Sequence, residues 1–166
     1  MTNKNDHSNP FVHEPMTVIT YCTEEVSRQG HDIRAWDGVQ RTAWMLNAWA
    51  YALAQQQAGR EPDIHDLEAI GSLVEPHKNH NGFRTVNVWV GTRPCPPPHE
   101  LHTRLTTLYA QDTLTPLDFY RQLLEIHPFV DGNGRTGKII LNWLNDTLLR
   151  PIFPPNDFWG RPIRNP

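Results

Sequence analysis

Only one segment of the chain has the composition of a β-strand. Residues 82–91, GFRTVNVWVG, place β-branched and aromatic side chains between two glycines, a pattern that predicts a strand over 83–90. One strand or hairpin cannot form the core of a sheet by itself. The other apolar residues recur at helical intervals. We therefore expect an all-α fold, a helical bundle that carries one small β-hairpin.

Five helices are predicted outside this segment. Periodic apolar residues predict a helix over 36–57, with Gly59 as its C-terminal stop. Asp63 and Thr115 are typical N-caps, and they predict helices that end near Pro76 and Pro128. Two more helices are expected over 98–110 and 134–149, while the prolines of 93–100 should not continue a strand. The expected buried face of the first helix consists of Trp36, Val39, Ala43, Leu46, Ala50, Leu53 and Ala54, and Trp44, Trp49 and Trp143 are also expected in the core.

The length of 166 residues fits one domain. Residues 1–30 are expected to form a partly disordered N-terminal extension, because the first fifteen are polar. Residues 31–166 are expected to form the single domain. It should end in an extended strap whose apolar side chains, Ile152, Phe153, Phe158 and Trp159, pack back on the surface.

Charge and hydropathy exclude several classes of partner. A net charge of −3 argues against general binding to nucleic acid or to anionic membranes. The apolar part of the uncharged stretch, residues 43–54, is shorter than the roughly 20 residues of a membrane-spanning helix. The first residues lack the apolar region of a secretory signal, and two cysteines suit a reducing compartment. A cytoplasmic location is therefore expected.

Residues 127–138, HPFVDGNGRTGK, carry the chemistry expected of a phosphate site. The Gly-Asn-Gly run leads into a helix, and its free N–H groups can bind an anion. A carboxylate beside bound phosphates can hold Mg²⁺, and a nearby histidine is a candidate general base. The residues proposed for these tasks are His127 as the base, Asp131 for the metal, and Gly132, Asn133, Gly134, Arg135 and Lys138 for phosphate.

This segment has two alternative interpretations, a simple turn and a P-loop. A Gly-Asn-Gly sequence before basic residues is often only a turn, but the convergence of base, acid and cations favours a site. Residues 132–138 also match the first seven positions of the P-loop pattern GxxxxGK[ST]. Ile139 replaces the required hydroxyl, and the preceding residues predict a helix where a P-loop needs a strand. The P-loop is therefore rejected.

The same segment resembles the signature of the Fic family, HPFx[DE]GNGRxxR, in eleven consecutive residues. GFRTVNVWVG and the following CPPPHEL are similar to the family's flap hairpin and the proline-rich turn after it, so the resemblance covers about residues 36–150. It implies a mostly helical enzyme that uses Mg²⁺ to transfer a nucleoside monophosphate, usually AMP from ATP, to a Ser, Thr or Tyr hydroxyl of a protein.

The resemblance also implies individual roles. His127 deprotonates the target hydroxyl, Asp131 binds Mg²⁺, and Phe129 anchors the loop. Gly132, Asn133 and Gly134 form the anion hole, which Arg135 supports. The flap residues, Phe83, Arg84, Thr85, Val86 and Val88, are expected to hold a target segment by main-chain pairing. Asn142 could reach the nucleotide or cap a polar face, and both alternatives stay open.

The sequence departs from the family pattern in two places. Lys138 replaces the last arginine, which keeps the charge but loses the planar two-pronged geometry. The alternatives are therefore a related transferase that uses UMP, GMP or phosphate, and a non-catalytic nucleotide-binding module. The inhibitory motif [ST]xxxE[GN] has no full match, although Thr20 with Glu24, and Asp37 with Gly38, approach it. Self-restraint is expected to be absent or to come from a separate antitoxin-like partner.

Overall fold

The computed structural model describes residues 17–155 of the chain. Within this range the chain forms six α-helices, one 3-10 helix and one two-stranded hairpin, which confirms the all-α fold with a small β-hairpin. The helices are α1 (Val18–Arg28), α2 (Trp36–Gln57), α3 (Ile64–Val74), α4 (Leu101–Tyr109), α5 (Pro116–Ile126) and α6 (Asn133–Leu144), with the 3-10 helix at Pro98–Glu100 and the strands β1 (Trp89–Val90) and β2 (Arg93–Pro94).

The predicted helix starts and stops follow from local chemistry. The Asp63 carboxylate accepts a hydrogen bond from the Asp66 N–H at 2.9 Å, and the Asp66 carboxylate accepts one from the Asp63 N–H at 3.2 Å, which closes a capping box. The Thr115 hydroxyl accepts from the Asp118 N–H at 3.1 Å ahead of Pro116 at the first helical position. Gly59 follows α2 with φ +76°, as a C-terminal stop requires. These helix boundaries are confirmed.

The long helix α2 crosses the middle of the domain and contacts α1, α3 and α6. Its buried residues are Gly38, Met45, Ala48, Trp49 and Ala52. The face predicted from the sequence is therefore wrong, and Trp36 is 77% exposed. Apolar residues occur on most sides of this helix, so two different faces have apolar residues at helical spacing. Contacts with the neighbouring helices determine which of the two faces is buried. Trp49 and Trp143 do lie in the core.

Helix α1 completes the core, although the helix was not predicted from the sequence. Tyr21, Cys22 and Val26 of this helix are fully buried, and the Tyr21 ring stacks on Phe153 with 4.1 Å between centroids. The strap expected at the C-terminus thus packs Phe153 against α1, whereas Ile152 is 44% exposed. Phe158, Trp159 and residues 1–16 lie outside the described residues.

The strand predicted over 83–90 is wrong in its length. Only Trp89 and Val90 pair with β2, and residues 83–88 are irregular. Pro94 lies opposite Trp89, contrary to the expectation that the proline-rich stretch ends the ladder. A two-residue turn joins Val90 to Arg93, so the Trp89–Pro94 pair is the non-hydrogen-bonded one, and the missing proline N–H removes no ladder bond.

Helix α6 ends at Leu144 rather than at the predicted residue 149. The next residues turn back, Asp146 has φ +58°, and the Leu148 carbonyl accepts a hydrogen bond from the Trp49 indole at 2.9 Å. Among residues 17–155 no helix is both long enough and apolar enough to cross a membrane.

Candidate active site

His127 ends helix α5 in the left-handed conformation, with φ 54° and ψ 62°. Nδ1 of its ring lies 3.3 Å from the carbonyl oxygen of Leu124. A carbonyl can only accept, so this contact favours the tautomer that carries its proton on Nδ1 and leaves Nε2 as the basic atom. Burial lowers the pKa of His127 below the ordinary value; the Leu124 contact opposes this shift, and Arg84 and Arg93 add to it. The ring is therefore neutral, as a general base requires.

Asp131 lies in the loop between His127 and α6 and is partly exposed. Its Oδ1 accepts a hydrogen bond from the Gly132 N–H at 2.6 Å, and its Oδ2 lies 2.5 Å from Nζ of Lys78. Burial alone would raise the pKa of the Asp131 carboxyl, but Lys78 and the Gly132 N–H hold the pKa below its usual value. The group is therefore a carboxylate at neutral pH, and its Oδ2 is paired with the Lys78 ammonium.

The start of α6 presents free backbone donors next to this carboxylate. Gly132 precedes the helix with φ +76°, and a Cβ at this position would lie 2.9 Å from a Val74 methyl, so the turn requires glycine. The N–H groups of Asn133 and Gly134 have no acceptor within residues 17–155. The Asn133 side chain bonds both the N–H and the carbonyl of Phe129 at 3.0 Å, which closes the loop on itself.

Phe129 anchors the loop in the interior, as the resemblance implies. Its ring is fully buried and lies 5.3 Å from the Phe83 ring. The ring also occupies the space above Gly71 of α3, where an added Cβ would approach Phe129 Cζ to 2.1 Å. The buried Phe129 ring therefore fixes the position of the loop relative to α3.

Arg135 is buried beneath the loop, and its Nη2 lies 3.9 Å from Oδ1 of Asp131. It is fully buried, and its Nη2 lies 2.7 Å from Oε2 of Glu75 while Nη1 donates to the Val74 carbonyl at 3.2 Å. Arg41 of α2 pairs with the same Glu75 carboxylate. These contacts tie the start of α6 to the end of α3, and the phosphate-supporting role expected of Arg135 stays a prediction.

Lys138 is one turn further along α6, and its Nζ lies 2.6 Å from Oε1 of Glu25 in α1. Glu25 is 1% exposed and also accepts from the Gln29 amide at 2.7 Å. The carboxylate that meets Lys138 is thus neither of the two considered from the sequence: Glu24 pairs with Arg28, and Asp37 pairs with Arg41. Helix α1 lies over the cation that the sequence assigned to phosphate.

Asn142 serves the fold rather than the open site. Its fully buried side chain donates to the carbonyls of Lys138 at 2.9 Å and Ile152 at 3.1 Å, and it accepts from the Ile152 N–H at 2.8 Å. Of the two alternatives left open by the sequence, the side chain takes the structural one, because its amide is used by α6 and the strap.

The flap residues divide into two groups. Thr85 and Val86 are exposed on the irregular segment before β1, where a docking role stays a prediction. Phe83 and Val88 are half-buried, and the Val88 carbonyl accepts from the Cys95 N–H at 3.0 Å. Arg84 is 3% exposed. Its backbone N–H already donates to the Pro128 carbonyl at 2.9 Å, and a docking role for Arg84 stays a prediction.

The residues present fit a magnesium ion held together with phosphates. Within residues 17–155 no group of three His, Cys, Asp or Glu side chains could form an all-protein site. Mg²⁺ in nucleotide sites needs only one or two carboxylates, with phosphates and water as its other ligands. Oδ2 of Asp131 would supply that single ligand once Lys78, which now lies 2.5 Å from it, moves aside.

His127, Asp131 and the start of α6 lie in one short loop segment, and their common role in one site stays a prediction. Lys78 and Glu25, which complete the charge balance of this segment, were not predicted. They lie 53 and 113 residues from their partners, in segments whose polar residues have no local signature.

Comparisons with known proteins agree with this arrangement. The chain is 34% identical over 105 residues to Protein adenylyltransferase Fic of Nematostella vectensis, which covers 52% of this chain and 24% of the relative. It is 32% identical over 110 residues to Protein adenylyltransferase fic-1 of Caenorhabditis elegans, covering 55% and 21%. The solved structure of C. elegans Fic-1 superimposes with a TM-score of 0.59 at 21% identity, over 78% of this chain and 44% of that one.

The matched region therefore spans about a quarter or less of these curated relatives, and the structural likeness describes the fold. The sequence pattern of the Fic/DOC family itself matches residues 61–145, which is just over half of the chain and includes every part of the loop from His127 to Lys138. On this match the chain belongs to the Fic/DOC family.

Proposed function

We propose that this chain is a protein adenylyltransferase, which transfers AMP from ATP to a Ser, Thr or Tyr hydroxyl of a target protein. The observation that carries the proposal is the neutral His127 ring, with Nδ1 at the Leu124 carbonyl and Nε2 left basic, in the loop segment that also holds Asp131 and the start of α6. The names of the relatives, protein adenylyltransferases, agree with it.

The reaction divides among these groups as follows. The target hydroxyl loses its proton to Nε2 of His127 as its oxygen attacks the α-phosphorus. A new P–O bond forms, the bond to the β-phosphate oxygen breaks, and pyrophosphate leaves. The N–H groups of Asn133 and Gly134 bind phosphate oxygens at the positive end of α6. Mg²⁺, held by Asp131 and the phosphates, supplies charge neutralisation when bound.

Helix α1 affects the same reaction. With Glu25 on Lys138, the cation proposed for the outer phosphates is already neutralised. We propose that productive binding of ATP separates Glu25 from Lys138, so that restraint lies within the chain. This proposal replaces the expectation that restraint is absent or comes only from an antitoxin-like partner.

The experiment is incubation of the purified protein and a cell lysate with MgCl₂ and ATP labelled at either the α- or the γ-phosphate. Label on protein from α-labelled ATP only, with a mass gain of about 329 Da for one AMP residue, supports adenylyl transfer. Label from γ-labelled ATP only would overturn it in favour of phosphate transfer. Since Lys138 replaces the family's arginine, parallel reactions with UTP and GTP decide which nucleotide is the donor.

A further inference from the structure

The carbonyl groups around His127 are held by one residue of the segment before the hairpin. The backbone N–H of Arg84 donates to the Pro128 carbonyl at 2.9 Å. Its Nε donates to the His127 carbonyl at 2.7 Å, and its Nη2 reaches the Ile126 carbonyl at 3.4 Å. Three consecutive carbonyls, centred on the proposed base, thus have the same partner.

The opposite side of the guanidinium holds the flap segment. Nη1 of Arg84 donates to the Val86 carbonyl at 2.9 Å, and Nη2 donates to the Pro96 carbonyl at 2.6 Å. The side chain is 3% exposed, and within residues 17–155 its hydrogen-bond acceptors are all backbone carbonyls, with no carboxylate among them. A buried arginine that exists only for stability is usually paired with an acid.

The location explains why a cation is needed. Helix α5 ends abruptly because His127 turns into the left-handed region, so the last carbonyls of the helix have no helical donors. These carbonyls form the negative end of the helix dipole, which a cation stabilises. The planar five-donor guanidinium can serve carbonyls on both sides at once, which an ammonium cannot.

We propose that Arg84 is a positioning residue for His127, which holds the base in its left-handed conformation and joins it to the flap. The inference rests on the proposed function, because it assigns His127 as the base. The charged groups that act on the ring are Arg84, Arg93 of β2 and Asp131 of the loop, while α5 contributes the Leu124 carbonyl. Loss of Arg84 removes the contact to the backbone of His127 and one positive charge together.

The test compares Arg84→Gln and Arg84→Lys with Arg104→Gln, a matched control that removes an exposed arginine from α4. Circular dichroism and thermal melting identify the folded variants. NMR titration of ¹³C-labelled histidine, assigned with His127→Ala, reports the ring directly, and transfer kinetics report kcat and KM for ATP separately.

We expect Arg84→Gln to raise the His127 titration midpoint and to lower kcat by about 10²-fold with little change in KM, since small displacements of a base have such effects. Arg84→Lys, which keeps the charge, should keep the midpoint near that of the wild type yet still lose kcat. If Arg84→Gln does not fold, Arg84→Lys decides alone. Wild-type kcat and midpoint in a folded Arg84 variant would overturn the inference. If the wild type transfers nothing, the proposed function fails, and the titration still tests whether Arg84 controls the ring.

Discussion

Oε1 of Glu25 lies 2.6 Å from Nζ of Lys138, although 113 residues separate them in the sequence. Glu25 is 1% exposed and the Lys138 side chain is 16% exposed, so water screens the pair weakly. Lys138, which the sequence assigns to phosphate, therefore already has a partner before any nucleotide arrives. Four predictions follow from this contact and from the loop beside it.

Glu25→Gln should strengthen binding of Mg-ATP by about tenfold, which corresponds to ~1.4 kcal/mol, and should speed transfer. The substitution removes the charge that competes with phosphate for Lys138 while it keeps the side chain's size. Calorimetry with ATP and MgCl₂ measures the binding. Glu24→Gln is the control, because Glu24 lies on the exposed face of α1 and pairs with Arg28. Equal effects of the two substitutions would show that the Lys138 contact is irrelevant.

The pH dependence of transfer should reflect the lowered pKa of His127. The base acts in its neutral form, so kcat/KM should stay constant through neutral pH and fall only once the pH drops below the ordinary histidine value of ~6.5. His127→Ala should lower the rate by roughly 10²- to 10⁴-fold and remove this limb. His99→Ala, at a site 81% exposed, is the control. A fall in kcat/KM at acid pH with its midpoint above the ordinary histidine pKa of ~6.5 would contradict the assignment of His127 as the base.

Lys78 and Asp131 should have opposite effects on the magnesium requirement. Lys78→Met frees Oδ2 of Asp131, so half-maximal ATP binding should need less Mg²⁺, by up to about fivefold, because a half-exposed pair contributes no more than ~1 kcal/mol. Asp131→Asn removes the ligand and should raise the requirement by about tenfold or more. Titration of Mg²⁺ against a fluorescent ATP analogue measures both. A raised requirement in Lys78→Met would show that Lys78 does not compete with the metal.

Gly71→Ala should destabilise the domain by about 1–3 kcal/mol, because the new methyl group would overlap the buried Phe129 ring. Thermal melting measures the loss of stability. Transfer activity should fall as well, because the added methyl group would displace the Phe129 ring and the loop that it anchors. Gly134→Ala is the matched control for stability, since its methyl group would meet only the Gln29 amide at 3.5 Å. A glycine replaced by alanine inside a helix is normally stabilising. An unchanged melting temperature in Gly71→Ala would show that Phe129 is free to move.

The helix boundaries could be predicted because their causes are local. Asp63 and Thr115 cap the helices that follow them, and the proline and glycine stops act within a few residues. The buried face of α2 could not be predicted, since several neighbours compete for an apolar helix. Helix α1 was not predicted because it lies in the segment expected to form a terminal extension, although its buried residues Tyr21, Cys22 and Val26 have helical spacing.

In the candidate site, too, the features with local causes could be predicted and those that depend on remote contacts could not. His127, Asp131 and the glycine-flanked start of α6 lie in one short segment, so their proximity follows from the sequence alone. The orientation of Arg135 and Asn142 toward the interior depends on Glu75 and on the strap, which are remote in the chain. The same holds for Arg84, whose acceptors at Ile126 and His127 lie more than forty residues away in the sequence.

The Tyr21 hydroxyl donates to the Ile152 carbonyl at 3.0 Å, and the Asn142 amide donates to the same carbonyl at 3.1 Å. Ile152 of the strap therefore links α1 to α6, one helical turn away from the Glu25–Lys138 contact. A force or a binding partner that breaks the hydrogen bond between Tyr21 and Ile152 would loosen α1 without contacting the loop that carries His127. The contacts of Ile152 are thereby coupled to the Glu25–Lys138 pair, which lies one helical turn away.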